Sequence, residues 1–214
     1  MQAVNLTQIR REYGALSLDE QTLLPCPIEQ VRLWLETAVK VEPYDPTAMV
    51  LATVDKDTKP DTRVVLLKDI KPAGFVFFTH FLSAKGEQIK NKRAVALNLY
   101  WPILARQIRI RGTAKKVSAQ ESDLYFSSRP YLSQISACAS AQSQVIQDRK
   151  ILEQKVQELQ QKYPEGQVKR PKDWGGYLVT PNQIEFWQGR DNRLHDRIMY
   201  VRQNNKWKAQ RLAP

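Results

Sequence analysis

The stretch Ile184-Glu185-Phe186-Trp187-Gln188-Gly189-Arg190-Asp191-Asn192-Arg193-Leu194-His195-Asp196-Arg197 holds the densest set of groups able to do chemistry. On a strand, Arg193, His195 and Arg197 share one face, with Leu194 and Asp196 on the other. Two guanidiniums flanking an imidazole repel, which is tolerable where an anion or carboxylate lies between them. The alternative is a solvated basic edge strand that discourages aggregation.

A second set is Tyr125, Arg129 and Ser133. Tyr125 and Arg129 are four apart on an expected helix and share a face; Pro130 ends it, and Ser133 is expected in the following turn. Phenol, guanidinium and hydroxyl together suit a phosphate, against the alternative of a helix surface with an incidental arginine. In Arg63-Val64-Val65-Leu66-Leu67-Lys68 the two cations have opposite parity. They serve opposite faces of a regular strand and fit two anions better than one, unless Lys68 lies past the strand end. Thr79, Ser83 and Lys85 make an anion pocket at a helix start, or else a plain cap with a solvent-facing lysine. Gln142-Ser143 is a weaker site of the same kind.

The elements that must position these groups follow from pattern. Residues 1–24 are polar and weakly patterned and are expected to form a mobile arm ahead of a single domain, 25–214. Pro27 opens a helix whose Ile28, Val31, Leu35 and Ala38 share a face. Strands are expected at 48–54, 63–68, 75–79, 94–100 and 106–117, with a short helix at 84–91. Ser118 with Glu121 reads as a capping box for a helix to about Ser128. Val145, Leu152, Val156 and Leu159 form a stripe on a longer helix ending near Tyr163. Four strands close the chain, around 177–179, 184–187, 194–201 and 207–212. Closely spaced strands with turn signals imply a mainly β, α+β fold: an antiparallel barrel with helices outside it.

The chain has 214 residues, 42% of them hydrophobic, and a formal net charge of +11. That excess points to an anionic partner. The cations are scattered and no nucleic-acid motif is present, so a nucleic-acid partner is not expected. No apolar run approaches the roughly 18 residues of a spanning helix, and the N-terminus has no apolar signal core. The expectation is a cytoplasmic protein without a membrane partner. Cys26 and Cys138 lie far apart and there are two histidines, so no metal site is expected.

Taken together, the segments resemble the pyridoxamine 5′-phosphate oxidase family. Its signature runs E-F-W-Q, four variable residues, then R-L-H-D-R, and Glu185–Gln188 with Arg193–Arg197 match every fixed position. Arg10-Arg11-Glu12-Tyr13, Asp45–Met49, Arg63–Lys68, Arg106-Gln107, Tyr125, Ser128-Arg129-Pro130, Ser133–Ile135 and Arg211–Pro214 agree in order.

The resemblance implies a homodimeric split β-barrel with FMN in two clefts at the subunit interface. It implies oxidation of pyridoxamine or pyridoxine 5′-phosphate to pyridoxal 5′-phosphate, with dioxygen as acceptor and hydrogen peroxide released. Arg63, Lys85 and Thr79 would hold the FMN phosphate; Val64, Val65, Leu66, Lys68, Phe78 and Gln107 would complete that side. Gln142, Ser143, Trp187 and Arg197 would come from the partner subunit. Lys68, Tyr125, Arg129 and Ser133 look like the substrate's phosphate grip. Arg193 and His195 look like the catalytic groups at its ring, and Arg10 and Tyr13 like a closing arm. The chain departs from the family at Ala84, Cys138 and Ala141, which implies weaker FMN binding. A flavin-binding split barrel without oxidase activity is the alternative.

Overall fold

A computed structural model describes residues 11–14 and 16–214, so Arg10 lies outside the described residues. Among the described residues, five α-helices, α1 (Pro27–Val41), α2 (Ala84–Asn91), α3 (Ala119–Ser127), α4 (Tyr131–Ala139) and α5 (Arg149–Lys162), accompany a nine-stranded sheet. The strands are β1 (Ala48–Val54), β2 (Pro60–Leu66), β3 (Asp69–Lys71), β4 (Gly74–His80), β5 (Ala94–Trp101), β6 (Arg106–Lys116), β7 (Trp174–Gln188), β8 (Asp196–Gln203) and β9 (Lys206–Leu212). Their hydrogen-bonded order is β2-β1-β5-β6-β7-β4-β3, with β8 on β7 and β9 on β8. This is the mainly β fold with flanking helices that the strand spacing predicts.

The chain parts into two compact units. One comprises residues 48–97 and 111–181. Here β1 and β2 pair antiparallel with Leu51 opposite Arg63, and β4 pairs with β7. Phe75, Val76 and Phe77 are fully buried on β4. Ser83 caps α2, its hydroxyl accepting from the Gly86 amide. Gly86 has no alternative: a Cβ there would lie 2.1 Å from the Phe81 carbonyl oxygen.

The other unit comprises 1–47, 98–110 and 182–214. α1 starts at Pro27, whose missing N–H is no loss in a first turn. Its Val31 and Trp34 are buried, and Trp34 meets Phe186 edge-on at 5.1 Å. Within residues 11–24, the Leu18 amide donates to Asp196 and Leu18 is buried.

Several boundaries differ from the sequence-based expectation. Ser133 lies in the first turn of α4, not in a loop, because Pro130 sets the start of a new helix. Val145 stands outside α5 and is 99% exposed; Asp148 caps that helix and delays its start. Ser118 does accept from the Glu121 amide, but the Glu121 carboxylate pairs with Lys71 instead of closing the box. The expected strands at 177–179 and 184–187 are one continuous β7, since an extended backbone accommodates the fixed φ of Pro181.

Candidate active site

In the unit of residues 48–97 and 111–181, a cavity of about 530 Å³ brings together most of the expected anion-binding groups. Leu66, Lys68, Phe78, Thr79, Tyr125, Arg129, Ser133 and Gln142 all line it. Lys68 lies past the end of β2, where its amide bonds the Val76 carbonyl oxygen. Lys68 and Leu66 share parity and both face the cavity; Arg63, of opposite parity, points elsewhere.

One wall is an aromatic stack. Phe78 lies on Tyr125 at 3.8 Å and 19°, and Trp174 continues the stack 5.6 Å from Phe78. Arg129 lies over Trp174, 4.7 Å from the ring centroid. Gln134 donates to the Arg129 carbonyl oxygen at 2.8 Å and fixes the backbone there. The Arg129 Nη1 atom is buried and has no hydrogen-bond partner among the described residues. Arg129 lines the cavity, and a guanidinium with an unsatisfied donor beside a polar cavity suits an anionic ligand. Burial pushes the Tyr125 phenol up, so it remains a neutral donor.

Thr79 and Lys85 adjoin this cavity through one side chain. Gln142 Oε1 accepts from Lys85 Nζ at 2.8 Å and from Thr79 Oγ1 at 3.2 Å. Gln142 reaches both from within the same chain. Lys85 is buried, not solvent-facing; burial first, then nearby Arg63, pushes its ammonium down to about 8. Two cations crowded together, one of them desolvated and bound only to neutral groups, form a site that a phosphate dianion relieves. These residues therefore fit the terminal phosphate of the flavin mononucleotide that the resemblance implies. Arg63 itself is engaged: its guanidinium donates to Thr53 Oγ1 at 2.5 Å and to Gln88 Oε1 at 3.2 Å, and it pairs with Asp61. Ser143, beside Gln142, adopts a φ of 72°.

Two residues that line the cavity escaped the sequence reading. His80 lines the cavity and is 7% exposed. Burial, and then Lys85 and Arg129, hold its imidazole below its ordinary value, against an opposing pull from Asp173. Trp174 supports Arg129 from below. The scarcity of histidine was the one signal for His80; nothing local marked Trp174.

The second group of expected residues belongs to the other unit. Arg193 and His195 are not on β8, which begins at Asp196. Asn192 and Arg193 take left-handed backbone, φ 55° and 62°, and turn the chain just before the strand. The shared strand face predicted for Arg193, His195 and Arg197 does not form. His195 Nδ1 accepts from the Arg190 amide at 3.1 Å, and its ring packs 4.7 Å from Trp187. Burial, then Arg193, lowers the His195 pKa, so a neutral ring with its proton on Nε2 is favoured. Tyr13 sits edge-on against both rings, 5.4 Å from His195 and 5.7 Å from Trp187. The Tyr13 and Gly14 amides donate to Asp191 Oδ1 at 3.0 and 2.8 Å. Gly189 leaves room for this ring: a Cβ there would lie 2.7 Å from it.

The fixed residues of the signature have visible tasks in this unit. Buried Glu185 accepts from Arg197 at 2.8 Å and pairs with Arg109 at 3.1 Å. Fully buried Gln188 accepts from Arg106 Nε at 2.9 Å and donates to the Leu104 carbonyl oxygen, fixing the backbone that leads to Gln107. Asp196 accepts from Leu18, Arg190 and Arg211.

Comparison with known proteins bears on the family and the fold. Residues 35–163 match the family described as pyridoxamine 5′-phosphate oxidase, and 174–214 match a pyridoxine 5′-phosphate oxidase C-terminal dimerisation region. A Legionella pneumophila (strain Lens) pyridoxine/pyridoxamine 5′-phosphate oxidase is 52% identical, with 98% of each chain covered. The protein of that name from Cyanothece sp. is 44% identical, with 99% of each covered. PhzG from Burkholderia lata, solved with tetrahydrophenazine-1-carboxylic acid, superposes with a TM-score of 0.89 at 30% identity, covering 95% of this chain and 100% of that one. With its motifs, its fold and its full-length relatives in agreement, this chain belongs to the pyridoxamine 5′-phosphate oxidase family.

Proposed function

We propose that the chain oxidises pyridoxamine and pyridoxine 5′-phosphate to pyridoxal 5′-phosphate, using FMN and dioxygen and releasing hydrogen peroxide, in vitamin B6 synthesis and salvage. The observation that carries this reading is a cavity lined by Lys68, Tyr125, Ser133 and Arg129, whose buried Nη1 has no hydrogen-bond partner among the described residues. One phosphate there engages two cations and two hydroxyls. FMN, when bound, would supply the redox chemistry, a two-electron oxidation at the substrate's C4′ carbon with dioxygen as the final acceptor.

The protein's own residues bind and orient. Arg63, Thr79 and Lys85 hold the cofactor's phosphate; Val64, Val65, Leu66, Phe78 and Gln107 border its ring, with Gln142 and Ser143 alongside. Lys68, Tyr125, Arg129 and Ser133 fix the substrate's phosphate, which confines the ring to one pose and supplies proximity. His195, with Nδ1 already accepting from the Arg190 amide, offers its Nε2 proton to the substrate. Arg193 brings positive charge to the ring as negative charge develops there. Tyr13, with Arg10, closes the arm over the site and keeps water out. The assembly is a homodimer, with Trp187 and Arg197 facing the partner's cofactor, and the protein works in the cytoplasm.

An aerobic assay with added FMN and each phosphorylated vitamer tests this, reading aldehyde and peroxide together. Aldehyde and peroxide in equal amounts are expected. Flavin binding without either product would favour a flavin carrier instead.

A further inference from the structure

Arg63 and Lys85 are the two cations assigned above to the cofactor's phosphate, and among the described residues Arg63 is ion-paired while Lys85 bonds only neutral groups. Asp61 stands two residues before Arg63 on β2, so the two side chains share a face. Its carboxylate pairs with Arg63 Nη2. Gln88 closes the arrangement: its Nε2 donates to Asp61 Oδ2 at 3.3 Å, while its Oε1 accepts from Arg63 at 3.2 Å. The same guanidinium also donates to Thr53 Oγ1 and to the Leu51 carbonyl oxygen. Gln88 first, and Arg63 after it, hold the Asp61 carboxyl below its ordinary value, so it is ionised at neutral pH. Asp61 also acts on Lys85, favouring its charged form.

An arriving phosphate therefore meets a cation that already has an anion, and meets that anion at close range. We propose that Asp61 opposes the cofactor's phosphate, competing for Arg63 and repelling the dianion, and so sets how readily this chain releases FMN. The inference rests on the assignment of Arg63 and Lys85 to the FMN phosphate. Asp61 is half exposed, with 48% of its side chain open, so it can swing away; the opposition weakens binding without forbidding it. The effect is specific to the phosphate: a flavin lacking that group gains nothing from Arg63 and loses nothing to Asp61.

The test is a binding titration that needs no turnover. Full-length apoprotein, as wild type and as Asp61→Asn, is titrated with FMN and with riboflavin, following quenching of flavin fluorescence. Asn keeps the volume and an acceptor for Gln88 while removing the charge. Asp61→Ser serves as a second variant, and the thermal midpoint of each confirms folding. FMN is expected to bind roughly tenfold more tightly to both variants at low salt, with riboflavin unchanged and the gain shrinking as salt rises. Unchanged or weaker FMN binding overturns the proposal, and so does equal tightening of both flavins. If wild type prefers riboflavin to FMN or binds neither, the assignment of the phosphate site itself falls.

Discussion

The Arg129 guanidinium rests on the Trp174 ring at 4.7 Å while its buried Nη1 atom has no hydrogen-bond partner among the described residues. The ring holds the charge in place without using up its donors. A donor kept in that condition is ready for an incoming anion, and a charge-assisted bond to one is worth about 1.5–3 kcal/mol. Arg129→Gln is expected to raise KM for pyridoxamine 5′-phosphate roughly 10- to 100-fold, with a much smaller effect on unphosphorylated pyridoxamine. Steady-state kinetics with both substrates checks this; equal losses on both would contradict it.

Burial, and then Arg63, push the Lys85 ammonium down to about 8 by disfavouring its charge. Phosphate binding favours the charged form, so binding is strongest while the ammonium persists. FMN affinity is expected to hold below pH 8 and to weaken above it, by at most about tenfold per pH unit. Lys85→Arg should remove that dependence. Titrations with FMN at neutral and alkaline pH provide the comparison.

His80 is held below the ordinary imidazole value by burial and by its cationic neighbours. In the unfolded chain it takes up a proton near pH 6.5, before the folded protein does. The unfolded state then binds more protons, so acidification below about pH 6.5 erodes stability, and the loss ends below the folded value. Thermal midpoints of wild type and His80→Asn are expected to diverge at neutral pH and converge toward pH 5, if Asn fills the site less well. Parallel pH profiles would remove the imidazole from this account.

Glu185 is 5% exposed in its side chain and is shared by Arg109 and Arg197. Glu185→Leu leaves two guanidiniums close together without their carboxylate. A loss of about 2–4 kcal/mol is expected in urea unfolding. Glu185→Gln, which keeps acceptor geometry, should lose less.

Gly189→Ala places a methyl group 2.7 Å from the Tyr13 ring, at its base and not at a flexible tip. Tyr13 must leave Trp187 and His195. Faster protease cleavage within residues 11–24 and altered tryptophan fluorescence are expected, with little change in thermal midpoint.

Much of this arrangement is legible in the sequence, and the reasons differ by residue. Period-two patterning locates β5 and β6, because one buried face leaves one register, whereas β4 is legible as a short continuous apolar run. The Ser83 cap and the opposite parity of Arg63 and Lys68 follow from local geometry, which sequence spacing encodes directly. The turn at Asn192-Arg193 does not, since its left-handed backbone has no glycine to mark it. His80 and Trp174 join the site only through the pairing of β4 with β7, where they stand opposite each other. Asp61 was within reach, because residues two apart on a strand share a face, but the charge pair there looks like any exposed one.

Gln142 shows what an amide can do that a carboxylate cannot. Its oxygen satisfies Lys85 and Thr79 while leaving the lysine's charge intact. Half a turn about its last torsion would present NH2 in place of oxygen. The same residue thus suits the pocket when vacant and when filled, accepting from the lysine in one condition and donating to a phosphate oxygen in the other. A glutamate in its place would neutralise the ammonium, then clash electrically with whatever anion came next.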